Sequence, residues 1–185
     1  LSSSELHGRN FDQETSRSAV GQPIGSFFVY EADGLFQSDA EIQNYKNDRG
    51  ELLQPNAKPG DIRFKDLNGD GVINSDDRDF KGNPLPDCSM GLTLGFNYKN
   101  FDVSAFFQGV FGNEVYNLTN YLGEFYNQAQ YNKNSTILDA WRPDNTDTDI
   151  PRVTLDDPNN NIRPSTYYIH NASFVRLKNL KVGYT

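Results

Sequence analysis

Sulfur and positive charge are scarce in this 185-residue chain, which has one cysteine, one methionine and 17 Lys+Arg against 25 Asp+Glu. A single cysteine, Cys88, excludes an internal disulfide framework, and with no activating neighbour in sequence it reads as a small filler residue. The net charge of −8, with its basic residues scattered, excludes nucleic acid and anionic membrane surfaces as partners, because phosphate contact needs clustered Lys and Arg. His7 and His170 lie far apart without metal-ligand spacing. No apolar run approaches the roughly 18 residues of a membrane helix, which leaves open a β-barrel, whose strands are individually weak signals. The chain starts at Leu1 with no leader pattern and stops at Thr185 within a strand-like pattern, so it is expected to be a piece of a longer protein. What is abundant is aromatic: 13 Phe and 10 Tyr in a chain only 36% hydrophobic, so rings supply much of the apolar surface.

The densest local motif is DLNGDGVINSDD, residues 66–77. Asp66, Asn68 and Asp70 occupy positions 1, 3 and 5 of a twelve-residue loop, the Val72 carbonyl position 7, Asn74 position 9 and Asp77 position 12. Gly71 stands at position 6, where the chain turns sharply. This is the spacing of a Ca2+ loop, with Asn74 binding directly or through water and Asp77 one methylene shorter than the usual Glu. The competing reading is an Asx-rich turn without an ion, since the same residues build turns. No second copy exists and the flanks GDIRF and FKGNPLP read as extended, so an ion here would staple a loop rather than signal.

Residues 1–25 show no period and read mostly as loop. SFFVYEADGLF predicts a short strand, a turn at Asp33-Gly34 and a second extended piece. Residues 38–48 predict a surface helix with Ser38 as N-cap and Glu41 completing a capping box. The informative segment is 90–110, MGLTLGFNYKNFDVSAFFQGV. A turn at Lys99-Asn100 pairs Tyr98 with Phe101, Phe96 with Val103, Leu94 with Ala105 and Leu92 with Phe107, placing every one of these apolar residues on one face. Gly, Thr, Asn, Asp, Ser and Gln fill the other face, a composition suited to a wet lumen, with Phe106 as the exception. Each arm has about the 9–11 residues with which a tilted strand crosses a bilayer. In residues 173–185, Val175 and Leu177 are out of phase with Leu180, Val182 and Tyr184, which predicts a bulge near Lys178-Asn179.

Residues 111–172 form a long connection rich in Asn, Asp, Tyr and Pro. Short helical pieces are expected at TNYLGEFYNQA and before Pro143. Tyr116, Tyr121, Tyr126 and Trp141 are candidates for contact with a substrate or partner: Trp141 as a sugar-stacking face, the tyrosines as a vestibule lining. Trp141 reads first as an anchor that packs its loop, and the tyrosines could instead form an interfacial aromatic girdle or pack inside the loop. Asp156-Asp157 are adjacent and define no cleft for glycosidase chemistry, so no enzyme activity is expected. Short turns at one end and long loops at the other form the asymmetry of outer-membrane barrels, with Lys99-Asn100 periplasmic and residues 66–77 and 111–172 at the cell surface.

Five ordered blocks carry a further resemblance: GSFFVYEADGLFQS, PGDIRFKDLNGDGVINSDDRDFKGNPLP, GLTLGFNYKNFDVSAFFQGVFGNEVYN, WRPDNTDTDIPR and STYYIHNASFVRLKNLKVGYT. In this order they resemble the C-terminal part of SusC/RagA-type TonB-dependent outer-membrane transporters, from about Gly25 onward. The resemblance implies an all-β fold, antiparallel strands and long extracellular loops of a large outer-membrane β-barrel that other segments complete. It implies TonB energy received through a plug outside this chain, a SusD-like surface lipoprotein as partner, and import of oligosaccharides or peptides. The competing expectation from the residues is a secreted calcium-stabilised β-sandwich that binds glycans, and a third is a dockerin-type module, which would need a second calcium loop. The apolar face decides between the first two: lipid-facing in a barrel, buried under a second sheet in a sandwich.

Overall fold

The computed structural model describes residues 6–7, 15–124 and 132–184. In chain order its elements are β1 (Leu6–His7), β2 (Ser16–Ser18), β3 (Ser26–Tyr30), β4 (Ala32–Leu35), α1 (Asp39–Asn44), β5 (Ile62–Phe64) and β6 (Arg78–Gly82). There follow β7 (Cys88–Tyr98), β8 (Phe101–Phe111), β9 (Glu114–Tyr116), α2 (Leu118–Gly123), β10 (Ile169–Asn171) and β11 (Phe174–Tyr184). The strands form antiparallel sheets in the orders β1-β2-β3-β6, β4-β5, β10-β9 and β11-β8-β7. The fold is all-β, as expected, and no helix among the described residues is long and apolar enough to cross a membrane.

Two local expectations shift. Asp33-Gly34 does not turn a hairpin: β3 pairs with β6 and β4 with β5. Gly34, at φ +79°, instead sits in a register shift inside β4, because a bulge satisfies Asp-Gly chemistry as well as a turn does. At α1 the Ser38 hydroxyl accepts from the Glu41 amide at 3.3 Å, whereas the Glu41 carboxylate accepts from Gln37 rather than Ser38, one residue upstream of the expected box.

The loops pack into a cap with a mixed core. Leu35, Ile62, Phe64, Trp141, Ile162 and Tyr168 form one apolar cluster and Phe36, Ile42 and Ala57 another. Strand β5 pairs with β4 along one edge only, so its other edge must find partners elsewhere. Side-chain amides supply them. Gln54 Nε2 and Asn159 Nδ2 donate to the Ile62 carbonyl, each at 3.0 Å, the Phe64 amide donates to Gln54 Oε1 at 2.8 Å, and the Ile62 amide donates to Asn161 Oδ1 at 2.9 Å. These three residues act as a surrogate strand and tie residues 159–161 to β5 across about a hundred positions of sequence.

Beside them Asp61, fully buried, accepts from Arg152 Nε at 2.6 Å, Arg152 Nη2 at 3.2 Å, Asn161 Nδ2 at 2.9 Å and the Lys58 amide at 2.8 Å. Four donors, two of them from one guanidinium, compensate the desolvation that an isolated buried carboxylate would suffer. Asp157, also buried, accepts from the Asn161 and Ile162 amides at 2.8 and 3.0 Å. It is a loop brace, which accounts for the Asp156-Asp157 pair without chemistry.

Candidate functional site: an apolar strand band and its loop cap

The three long strands carry the predicted register. Tyr98 faces Phe101, Phe96 faces Val103, Leu94 faces Ala105 and Leu92 faces Phe107. Strand β11 extends these rows with Tyr184, Val182, Leu180 and Leu177, and its register shift falls between Leu177 and Asn179, so Val175 and Leu177 share a face with the later residues. A β-bulge there corrects the phase of the apolar pattern, as the sequence predicts. The result is a band three strands wide whose outer strands are largely exposed: Leu94 is 54% exposed, Phe96 65%, Leu180 59% and Val182 66%. So much contiguous apolar surface facing water would be an aggregation liability; facing lipid it is at rest.

The hairpin is slightly longer than residues 90–110, since pairing runs from Cys88↔Phe111 to Tyr98↔Phe101. Eleven residues at a rise of about 3.4 Å give a strand of about 37 Å, which at a tilt of ~45° spans about 26 Å, close to the ~25 Å height of the apolar band of an outer-membrane barrel. Aromatic rings gather at the turn end: Phe101 meets Tyr184 edge-on at 4.9 Å, Phe96 stacks with Tyr98 at 6.4 Å, and Lys99 Nζ lies 5.4 Å from the Tyr98 ring centre. Such a girdle suits a membrane interface, where amphipathic rings sit at headgroup level. On the opposite face Phe106 lies over Gly91, where an added Cβ would meet its ring at 3.0 Å. The aromatic that broke the polar pattern covers a glycine with no side chain of its own.

At the far end of the band β8 and β11 continue as a ribbon. Gly112, at φ +81°, lets β8 turn past Asp87, whose carboxylate leaves no room for a Cβ, and β9 then pairs with β10 through Glu114↔Asn171, Val115↔His170 and Tyr116↔Ile169. The expected long loop of residues 111–172 therefore begins and ends in strand, and the cap is built on that ribbon.

The cap also holds three of the aromatic candidates. Trp141 is buried, its indole N–H donates to Gln37 Oε1 at 2.9 Å, and its ring lies on Gly60, so no stacking face is presented. Tyr116 and Tyr121, partly buried, pack around the buried Tyr168 at ring distances of 5.3 and 5.5 Å and against the core of the cap. Burial pushes the Tyr116 phenol well above its ordinary range. Tyr126 lies outside the described residues.

Residues 66–77 form a tight loop. Asp66 accepts from the Gly69 and Gly71 amides at 2.7 and 2.8 Å, Asn68 Oδ1 from the Asp70 amide at 2.8 Å, and Asp70 from the Val72 amide at 2.9 Å. Hydrogen bonds from the Val72 amide, then from Asn68, hold the Asp70 carboxyl below the usual carboxylate range. Asp77, fully buried, accepts from the Leu67 and Asn74 amides, each at 2.8 Å, and so joins the two ends of the loop. Gly71, at φ +89°, stands where a Cβ would be 2.6 Å from Asn47 Nδ2. The expected donors thus share one loop, yet among the described residues no three acidic, His or Cys side chains converge as a ready-made metal cluster. The carboxylates are turned toward backbone amides, and an ion would draw on their remaining lone pairs.

The cap also holds a cavity of about 510 Å³ between β4, β5, α2 and residues 149–170, with Leu35, Ile62 and Ile150 as apolar wall and Glu124, Asp149 and Tyr167 among its polar groups. Glu124 is 7% exposed; its carboxylate accepts from the Tyr167 hydroxyl at 2.6 Å and the Thr136 hydroxyl at 3.4 Å. Burial, then the bond to Glu124, push the Tyr167 phenol far above its ordinary range. Nothing in the sequence marks this group, because α2 is short and Glu124 lies in a polar stretch without periodicity.

An antiparallel sheet with one apolar band, one polar face, a two-residue turn at one end and a strand-based cap at the other defines a segment of a membrane β-barrel. No protein-family model matches the chain. It is 37% identical, over 96% of its length, to TonB-dependent receptor P3 of Formosa agariphila, and 30% identical, over 90%, to TonB-dependent receptor SusC of Bacteroides thetaiotaomicron. Its fold matches the RagAB peptide importer in the closed-closed state with a TM-score of 0.63 over 97% of the chain at 24% identity. The chain belongs to the TonB-dependent receptors of the SusC/RagA type, and it spans 16% and 14% of the length of those two curated relatives and 18% of the solved chain. The relatives are named as receptors and an importer, not as enzymes.

Proposed function

We propose that this chain supplies three wall strands and a surface cap to an outer-membrane active transporter that imports oligosaccharides or peptides with TonB energy. The observation that carries the reading is the apolar band, five rows deep from Met90 to Tyr98 and shared by β7, β8 and β11. The remaining barrel segments pair with the free edges of β7 and β11, the plug that contacts TonB lies elsewhere in the assembly, and a SusD-like surface lipoprotein covers the cap side. The names of the relatives and the fold match to the RagAB peptide importer support it. A glycan-binding sandwich would need a second sheet over the band, whereas the band is exposed. Membrane fractionation of the full-length protein tests the reading: it is expected in the outer membrane, with the cap open to protease on intact cells once the surface lipoprotein that covers it is deleted. A soluble product would overturn it.

In the same reading residues 66–77 bind one structural Ca2+ through Asp66, Asn68, Asp70, the Val72 carbonyl and Asp77, with Asn74 direct or through water. The ligand spacing and the left-handed Gly71 support this. Calcium is expected to protect the loop from protease and EDTA to remove the protection; cleavage rates equal in both would count against it.

A further inference from the structure

Four carboxylates are buried among the described residues, and three of them are satisfied by structure. Asp61 has the Arg152 guanidinium, Asp77 has loop amides from both ends of its turn, and Asp157 has two consecutive amides. Glu124 differs. Among the described residues its two donors are neutral hydroxyls, one of them at 3.4 Å, and no ion pair reaches it. Buried anions are ordinarily paired or richly hydrogen-bonded, because desolvation costs several kcal/mol that weak neutral donors do not offset. Glu124 also borders the one kind of space where a missing cation could come from outside, a cavity of about 510 Å³, within the usual range for ligand sites. Among the described residues no Lys or Arg lines it, His170 is its one basic side chain and makes no ion pair with Glu124, Asp149 adds a second carboxylate, and Leu35, Ile62 and Ile150 offer apolar contact.

We propose that this cavity is a binding subsite for an ammonium or guanidinium group carried on an apolar stem, with Glu124 as the charge partner, Tyr167 and Thr136 fixing its carboxylate, and Asp149 attracting the cation. The proposal deepens the import reading by assigning a substrate chemistry, and it rests on that reading for the source of the ligand. A neutral oligosaccharide would leave Glu124 uncompensated and is not the expected occupant.

The test uses the purified full-length protein in detergent and two capped dipeptides, acetyl-Leu-Lys-amide and the same peptide with its lysine acetylated, by calorimetry at low salt. The lysyl peptide is expected to bind about tenfold or more tightly than the acetylated one, the ratio a charged hydrogen bond supplies. Glu124→Gln, which keeps one acceptor oxygen for a hydroxyl and offers the other an amide N–H that its oxygen can accept from, is expected to abolish that ratio, and Asp149→Asn, exposed and hydrogen-bonded to neither hydroxyl, to reduce it about two- to fivefold. Equal binding of the two peptides to the unaltered protein, an unchanged ratio in Glu124→Gln, or binding of maltotriose but neither peptide would overturn the proposal. Should Glu124→Gln fail to fold, an unchanged ratio in Asp149→Asn would overturn it alone. Outer-membrane fractionation of the same preparations reads the import hypothesis separately, so the two can fail independently.

Discussion

Leu94→Arg is the sharpest perturbation of the band. Leu94 lies near the middle of β7, in the row with Ala105 and Leu180, and four residues from the girdle at Tyr98. Four residues are about 14 Å along the strand, or about 10 Å along the membrane normal at ~45° tilt, which puts Leu94 near the bilayer midplane. An arginine on the lipid face costs about 2–4 kcal/mol there and about 0–1 kcal/mol near the interface. The neighbouring Gly95 has the same depth but faces the other way, and a Cβ built on it meets nothing within 4 Å. In urea-dependent folding of the full-length protein into phospholipid vesicles, followed by heat-modifiable gel mobility, Leu94→Arg is expected to lose about 2–4 kcal/mol, with Tyr98→Arg and Gly95→Arg each losing about 1 or less. Equal losses at Leu94 and Gly95 would refute the assignment of faces. No loss at Leu94 would refute the lipid contact itself, since an arginine facing water costs little.

Arg152→Ala leaves the Asp61 carboxylate buried without its cation and is expected to destabilise the cap by about 3–5 kcal/mol, seen as faster proteolysis around residues 150–163; unchanged resistance would show that Asp61 is otherwise compensated. Lys99 holds φ +52° in the two-residue turn, a region that Asn tolerates better, so Lys99→Asn is expected to raise folding stability by about 0.5–1 kcal/mol in the vesicle assay. Hydrogen bonds from Lys65, then Lys81, hold the Glu31 carboxyl below its ordinary 4.5. A lowered folded value means the stabilisation is complete above 4.5 and disappears as pH falls through that lower value. Both lysines are partly solvated, so the contribution is at most about 1 kcal/mol, and Glu31→Gln is expected to flatten the acid limb of a stability–pH profile by that amount.

The band was legible in the sequence and the cap was not, for one physical reason. In residues 90–110 a period of two and a two-residue turn leave a single register that keeps Leu92, Leu94, Phe96 and Tyr98 on one face, and the phase slip around Lys178 can be absorbed only by a bulge. Local pattern suffices because strand neighbours face alternate environments. The cap obeys no such period. Asn159 and Asn161 look like any Asx-rich loop, yet they are buried because Ile62 and Asp61, about a hundred residues away, present unpaired backbone and charge that their amides match. Trp141 was open to two readings, and Gly60 decides between them: at φ +88° and lacking a Cβ, it gives the indole a flat seat that only the tertiary fold creates. The same argument separates the carboxylates. Asp66, Asp70 and Asp77 announce themselves by spacing, whereas Glu124 carries no local signature, and its lack of a cation among the described residues becomes visible only from the donors that the fold places around it.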